Sequence, residues 1–314
     1  MKKMINATHI EGVLYQHDLE LKTSGENSKN PGTEFIAGNI EIATDDAGIN
    51  IVPVHFTYVT ATTAKGKVND TFNTLKNIIT GVYKSVMKDG ADVATKFRID
   101  SAIGLNEFYS DRNGTEELVS VKRNEGGFVH VVAALGEDEK ARNTFDCDII
   151  ITSVIRKEAD EEKNIPEKGI VKGAIFNFRG DLLPVEFSVL NDRAIAYFED
   201  LGASKSNPVF TRIKGRQISE SITRRVEEES AFGEPSVREY TSTRKDFVIT
   251  WAAKEEYEWD SEGSILATEL RDAMANREIA LAEMKKRSDE YRASRGNAIP
   301  SAAVAAPTPG AFNF

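Results

Sequence analysis

The strongest constraint on this chain's fold is that it says the same thing twice. "FIAGNIEI" (35–42) is followed, after a polar hairpin, by "PVHF" (53–56), and "IVKGAIFNF" (170–178) is followed by "PVEF" (184–187). Ile36, Gly38 and Ile40 match Val171, Gly173 and Ile175; Pro53, Val54 and Phe56 match Pro184, Val185 and Phe187. The neighbours match in the same order. "IEGVL" (10–14) precedes the first copy and "ITSVI" (151–155) the second. A helical segment follows each, 69–87 and 192–201, then "RIDS" (98–101) against "RIKG" (212–215), then "FVHVVA" (128–133) against "FVITWA" (247–252). These ordered matches indicate a duplication, and 314 residues suffice for about two domains of roughly 150 residues.

Each unit reads strand, strand, strand, helix, strand, strand. That is the order of the five-stranded OB barrel, whose second and third strands and hairpin loops bind oligonucleotides or oligosaccharides. A glycine within such a strand marks a bend or a close backbone approach. The expected fold is therefore mainly β: two tandem OB-fold barrels followed by a C-terminal helix and a disordered tail. The expected boundaries are 1–140 and 146–258 for the barrels, 259–295 for the helix and 296–314 for the tail. Two small α+β sheets without barrel closure have the same element order and stay open at this point. Residues 264–295 are rich in Ala, Leu, Glu, Lys and Arg, as in a good helix former. Ile265, Leu266, Leu270, Met274, Leu281 and Met284 form a narrow stripe, which predicts a packed terminal helix rather than a coiled coil. "GNAIPSAAVAAPTPGAFNF" has the Ala and Pro content of a segment that does not fold alone.

Composition narrows the function classes. No apolar run is long enough to span a membrane, and "MKKMINATHIEG" lacks the apolar stretch of a signal peptide. The single cysteine, Cys147, cannot form an internal disulfide, which suits a reducing compartment. The net charge of −10 argues against a uniformly basic nucleic-acid binder but leaves a local basic groove open.

No catalytic signature is present: no GxxxxGK[ST], GxSxG, HExxH or CxxC. His9, His17, His55 and His130 are isolated and lack ligand spacing. The acidic pairs and runs at 45–46, 137–139, 160–162 and 227–229 fall in expected loops, where solvation explains them. The expectation is a non-enzyme with no metal and no cofactor.

Residues out of phase with the core are the candidates for a binding face, since alternate strand residues point to opposite faces. Phe56 and Phe187 share the repeated core phase. Tyr15, Arg98 and, in the second unit, Lys172, Phe176, Phe178, Arg212, Lys214 and Arg216 fall opposite it. The long hairpins add Phe108, Tyr109, Arg112, Lys122 and Arg123 in the first unit, and Arg224, Arg225, Arg238, Tyr240, Arg244 and Lys245 in the second. Basic residues interleaved with aromatics suit a single strand of nucleic acid, because cations follow phosphates and rings stack on any base.

On "IEGVL", "FIAGNIEI", "RIDSAIGLNEFYSDRNG" and their second copies, residues 5–255 resemble single-stranded DNA-binding proteins encoded by bacteriophages, with OB domains in one polypeptide. "IGLNEFYSDRNG" is similar to the long fourth-to-fifth-strand hairpin of bacterial single-stranded DNA-binding proteins. The resemblance implies a single-stranded DNA partner, a role in replication or recombination, and the cytoplasm of an infected bacterium. In that family an acidic, phenylalanine-tipped tail recruits replication enzymes. Here Phe312 and Phe314 are the candidate partner-binding residues, but "PGAFNF" carries no acid. Rival readings are a phage virion protein built from β-barrels, an enzyme of unrecognised class, and an acidic inhibitor of a host DNA-binding protein.

Overall fold

The structure is a computed structural model that describes residues 4–112, 115–159, 167–228, 236–261 and 264–296, with the backbone alone at 111–112, 115, 220–228, 236–244 and 295–296. The first unit comprises β1 (Asn6–His17), a short β2 (Glu20–Thr23), β3 (Glu34–Ala43), β4 (Ile51–Thr60), the helices α1 (Asp70–Ile79) and α2 (Val86–Asp89), β5 (Lys96–Arg112) and β6 (Thr115–Val131). The second comprises β7 (Asn143–Lys157), β8 (Lys168–Phe176), β9 (Leu182–Val189), α3 (Asp192–Asp200), β10 (Val209–Glu228) and β11 (Ser236–Ala252). Helix α4 (Ala267–Gly296) follows.

Both units close. In the first, β1 pairs antiparallel with β3, β3 with β4, β5 with β6 and β5 with β1, and β4 meets β6 in parallel. The second repeats this ring with β7, β8, β9, β11 and β10. Two OB barrels are thus the observed architecture, and the open α+β alternative falls away. Ile10, Leu14, Ile40, Val54, Phe56 and Phe97 fill the first barrel; Phe72, Leu75 and Ile78 of α1 plug its end. Phe145, Ile149, Val171, Phe187 and Ile213 fill the second, with Ile195 and Phe198 of α3. Helices α1 and α3 each bury one stripe at three- to four-residue spacing, as an amphipathic helix against a core must. Asn191 caps α3, its side chain accepting from the amides of Arg193 and Ala194.

The duplication is real in topology and slipped in register. Tyr15 in β1 and Thr152 in β7 are the unpaired residues of matching bulges, between Leu14↔Ile42 and Gln16↔Glu41 in one barrel and between Ile151↔Gly173 and Ser153↔Lys172 in the other. Leu14 therefore corresponds to Ile151, and Gly173 takes the place of Ile42 rather than of Gly38. Phe187 takes the place of Val54 rather than of Phe56. "RIDS" and "RIKG" correspond residue for residue: Asp100 pairs with Phe128, and its counterpart Lys214 pairs with Trp251. Every slip is by an even number of residues. A one-residue slip would turn the core face outward; an even one keeps it. The two glycines answer different needs. Gly38 has φ 128°, which a side chain rarely adopts, beside an irregularity in the β3–β4 ladder. A Cβ on Gly173 would lie 2.3 Å from the Ile150 carbonyl oxygen.

The barrels share one sheet, because β1 also pairs antiparallel with β7 from Asn6↔Cys147 to Ile10↔Asn143. A buried amide cluster crosses the junction. Asn124 of β6 and Gln217 of β10 exchange side-chain hydrogen bonds of 2.8 and 2.9 Å. The Gln217 carbonyl accepts from Asn143 at 2.6 Å and from Asn50 at 3.2 Å. Unsatisfied, these groups would each cost about 1–3 kcal/mol, so the cluster favours one relative placement of the barrels.

The chain after β11 covers part of the second barrel's outer face. Tyr257, Trp259 and Ile265 pack with Ile150, Phe176, Leu182 and Phe210. Tyr257 also donates to the buried carboxylate of Asp148 at 3.1 Å. Helix α4 begins at Ala267, whose amide donates to Asp260. Its inward stripe is Leu270, Ala273, Arg277, Leu281, Met284 and Arg292, while Leu266 and Met274 of the expected stripe are exposed. No helix among the described residues is long and apolar enough to cross a membrane.

Candidate functional site

The second and third strands of the first barrel carry an aromatic pair on their outer face. Phe35 of β3 and Tyr58 of β4 lie with ring centroids 4.5 Å apart and planes tilted by 34°. Tyr58 is 45% exposed. Lys22 of β2 stands directly across the ladder from Phe35, Ser24 Oγ is 3.2 Å from the Tyr58 hydroxyl, and the adjoining loop presents exposed Lys65 and Lys67. Further along the same face, His55 Nδ1 lies 2.8 Å from Asn39 Oδ1, and Asn39 donates to Asp18 at 2.8 Å. Burial, with Arg123 nearby, holds the His55 imidazole below its usual range.

Alternation alone does not single out this pair. Val52, Val54 and Phe56 point inward, so the period-two pattern assigns Tyr58 to the core. Between Gly38↔Phe56 and Ile36↔Val59, however, β4 holds one residue more than β3. That bulge reverses the phase: Val59 packs on the core and Tyr58 turns out. The available signal was Phe35, which is out of phase with Ile36.

The first long hairpin is shared with α4. Phe108 is 44% exposed, but Tyr109 is half-buried, with Lys285 Nζ 5.4 Å from its ring centroid and its carbonyl accepting from Arg292 at 3.5 Å. Glu116 pairs with Lys285 and, at 2.9 Å, with Arg292, and the Lys285 hydrogen bond draws its carboxyl below the usual range. Arg277 grips Glu107 at 2.7 and 3.2 Å. The face of Tyr109 that a base would use is therefore occupied by α4.

Two further expectations are corrected. Phe176 is buried, 1% exposed, because Tyr257, Trp259 and Ile265 cover the outer face on which it stands; it has no ring to offer a base. Lys122 does not lie on an open groove. Its ammonium sits 4.6 and 4.8 Å from the ring centroids of Phe187 and Phe247 and donates to the Glu186 carbonyl. Desolvation lowers its pKa to about 8.

Residues 4–287 match the model of a family described as YorF. The chain belongs to the YorF family. Two solved structures of the single-stranded DNA-binding protein from Thermus aquaticus are similar in outline. The wild type is 8% identical, with a TM-score of 0.43 over 82% of this chain and 95% of that one. A deletion variant that also carries an arginine-to-alanine substitution is 9% identical, with a TM-score of 0.44 over 83% and 98%. No curated protein matches the chain.

The remaining candidates of this YorF-family chain are dispersed. Arg212 is held to Asp146 by bonds of 2.7 and 2.6 Å, and Lys214 Nζ lies 3.6 Å from the same carboxylate and 5.2 Å from the Trp251 ring centroid. Burial opposes ionisation of Asp146, but Arg212 and Lys214 together outweigh it and hold the carboxyl low. Lys172 pairs with Glu186 at 2.5 Å, Arg123 with Glu125 at 2.9 Å, and exposed Arg98 stands 3.5 Å from Asp100. Arg216 and the bulge residue Tyr15 are half-buried. Phe178, 86% exposed at the β8–β9 hairpin beside Arg179, is the most open ring among the described candidates. Arg112, Arg224, Arg225, Arg238, Tyr240 and Arg244 lie on stretches whose backbone alone is described, with Arg224 across from Tyr240; Lys245 is exposed. Phe312 and Phe314 lie outside the described residues. Among those residues no cluster of three or more histidine, cysteine or carboxylate groups could hold a metal.

Proposed function

We propose that this YorF-family chain binds and protects single-stranded DNA without acting on it chemically, and that it serves phage replication or recombination in the cytoplasm of an infected bacterium. The observation that carries the reading is the Phe35–Tyr58 pair, bordered by Lys22, Lys65 and Lys67. It lies on the strands of an OB barrel that ordinarily meet oligonucleotides. A ring presented beside flexible cations stacks on any base, at about 1–3 kcal/mol per base, while the cations follow the phosphates. Phe178 with Arg179 offers the same combination on the second barrel. The phage setting rests on the resemblance of the repeated segments to phage-encoded single-stranded DNA-binding proteins, and recruitment of replication or recombination proteins through Phe312 and Phe314 belongs to the same reading.

The test is a salt series with fluorescent oligo-dT and a matched duplex. The reading predicts preference for the single strand and a log–log slope of about −0.7 per phosphate neutralised. Equal affinity for both, or salt-insensitive assembly without DNA affinity as a virion protein would show, overturns it.

A further inference from the structure

The second barrel closes through a single bridge. β9 and β11 meet at Ser188↔Val248; β9 then ends at Val189 while β11 runs on to Ala252. From Ile249 to Ala252, β11 has β10 on one side. On the other side lies a groove of about 830 Å³ against α3, where no strand among the described residues pairs with it. Ala194, Tyr197 and Phe198 form the helix wall; Ile249 and Trp251 form the strand wall. Tyr197 donates to the Ala253 carbonyl at 2.9 Å, pinning one end. Trp251 is 47% exposed. At the corresponding place in the first barrel Thr71 of α1 donates to the carbonyl of Gly127, the counterpart of Thr250, at 3.4 Å.

Burial and the nearby carboxylate of Glu256 hold the Tyr197 phenol above its usual range, while the groove lining itself carries two cations. The protein carries a net −10, yet the charged residues in this lining are Arg193 and Lys254, both exposed and, among the described residues, in no ion pair. A strand edge beside an apolar trough is a template for another strand. Main-chain hydrogen bonds supply affinity, and alternate side chains enter pockets.

We propose that this groove is a docking site for an extended peptide of a partner protein, added as a strand along Ile249–Ala252, with aromatic or large apolar side chains at alternate positions and carboxylates between them. The rings fill the trough between Tyr197 and Trp251, and the carboxylates meet Arg193 and Lys254. The site is independent of the Phe35–Tyr58 platform, so peptide and DNA bind together.

The test uses the full chain and a labelled, end-capped hexapeptide alternating phenylalanine with aspartate, followed by fluorescence anisotropy. The peptide is expected to bind in the micromolar range. The same peptide with alternate amides N-methylated should bind at least tenfold more weakly, a comparison that needs no protein variant. The double substitution Arg193→Glu and Lys254→Glu should also weaken the peptide at least tenfold while leaving oligo-dT affinity within twofold. Absence of binding, equal binding of the N-methylated peptide, or displacement of the peptide by oligo-dT each overturns the proposal, the last because it would make the groove part of the nucleic-acid surface.

Discussion

Lys122 of the first barrel lies 4.6 Å from the ring centroid of Phe187 in the second. Desolvation brings its pKa from 10.5 to about 8, so the folded state holds this proton less tightly than the unfolded chain does. Where the unfolded state binds more protons, stability rises with pH. The penalty for burying the charge is therefore fully present below about pH 8 and fades as the pH climbs to 10.5. Lys122→Met should stabilise the protein by about 1–3 kcal/mol at pH 7 and by little at pH 10.5. Urea unfolding of both proteins at the two pH values measures this; an equal difference at both would contradict the shift.

The Asn124–Gln217 pair should behave as a unit. Gln217→Ala leaves the Asn124 amide buried without its partner and should cost about 1–3 kcal/mol. Adding Asn124→Ala should cost clearly less than its own single effect, because the orphaned amide goes with it. A double-mutant cycle in urea reads the coupling; strict additivity would show that the two amides do not depend on each other.

Arg277 fastens α4 to the first barrel's hairpin through Glu107, both side chains being largely buried. Arg277→Ala leaves Glu107 without its guanidinium and should destabilise by about 3 kcal/mol. Hydrogen exchange should rise through residues 267–296 first, with the barrel strands still protected. Exchange rising equally everywhere would mean that the helix is not a separately opening element.

Much of this architecture is legible in the sequence. The repeated apolar phase places Phe56 and Phe187 in two cores, and the helix between the third and fourth strands gives the OB order; closure itself is read only from the pairings of β4 with β6 and of β9 with β11. Exact register is not legible, because slips of two or four residues leave the pattern of faces unchanged; Gly173 and Gly38 look equivalent although they stand four places apart. What covers an outer face is not legible either. Phe176 is out of phase with the core, as expected, yet Tyr257 and Trp259 from eighty residues onward in the chain bury it. Tyr58 was hidden by a single extra residue in β4, and Lys122 by a contact between barrels that no local pattern encodes. Local alternation records which way a side chain points, not what it meets.

The central claim is that half-buried Phe35 and exposed Tyr58, on the outer face of β3 and β4, stack on unpaired bases. Its most direct measurement is the affinity of fluorescein-labelled oligo-dT for the wild type and for Phe35→Ala with Tyr58→Ala, each across a salt series. Loss of one or two stacked bases, at about 1–3 kcal/mol each, should weaken binding by at least about fivefold. The salt slope should stay nearly unchanged, because the lysines still meet the phosphates. An affinity within twofold of the wild type, from a variant that unfolds at the same urea concentration, would contradict the account.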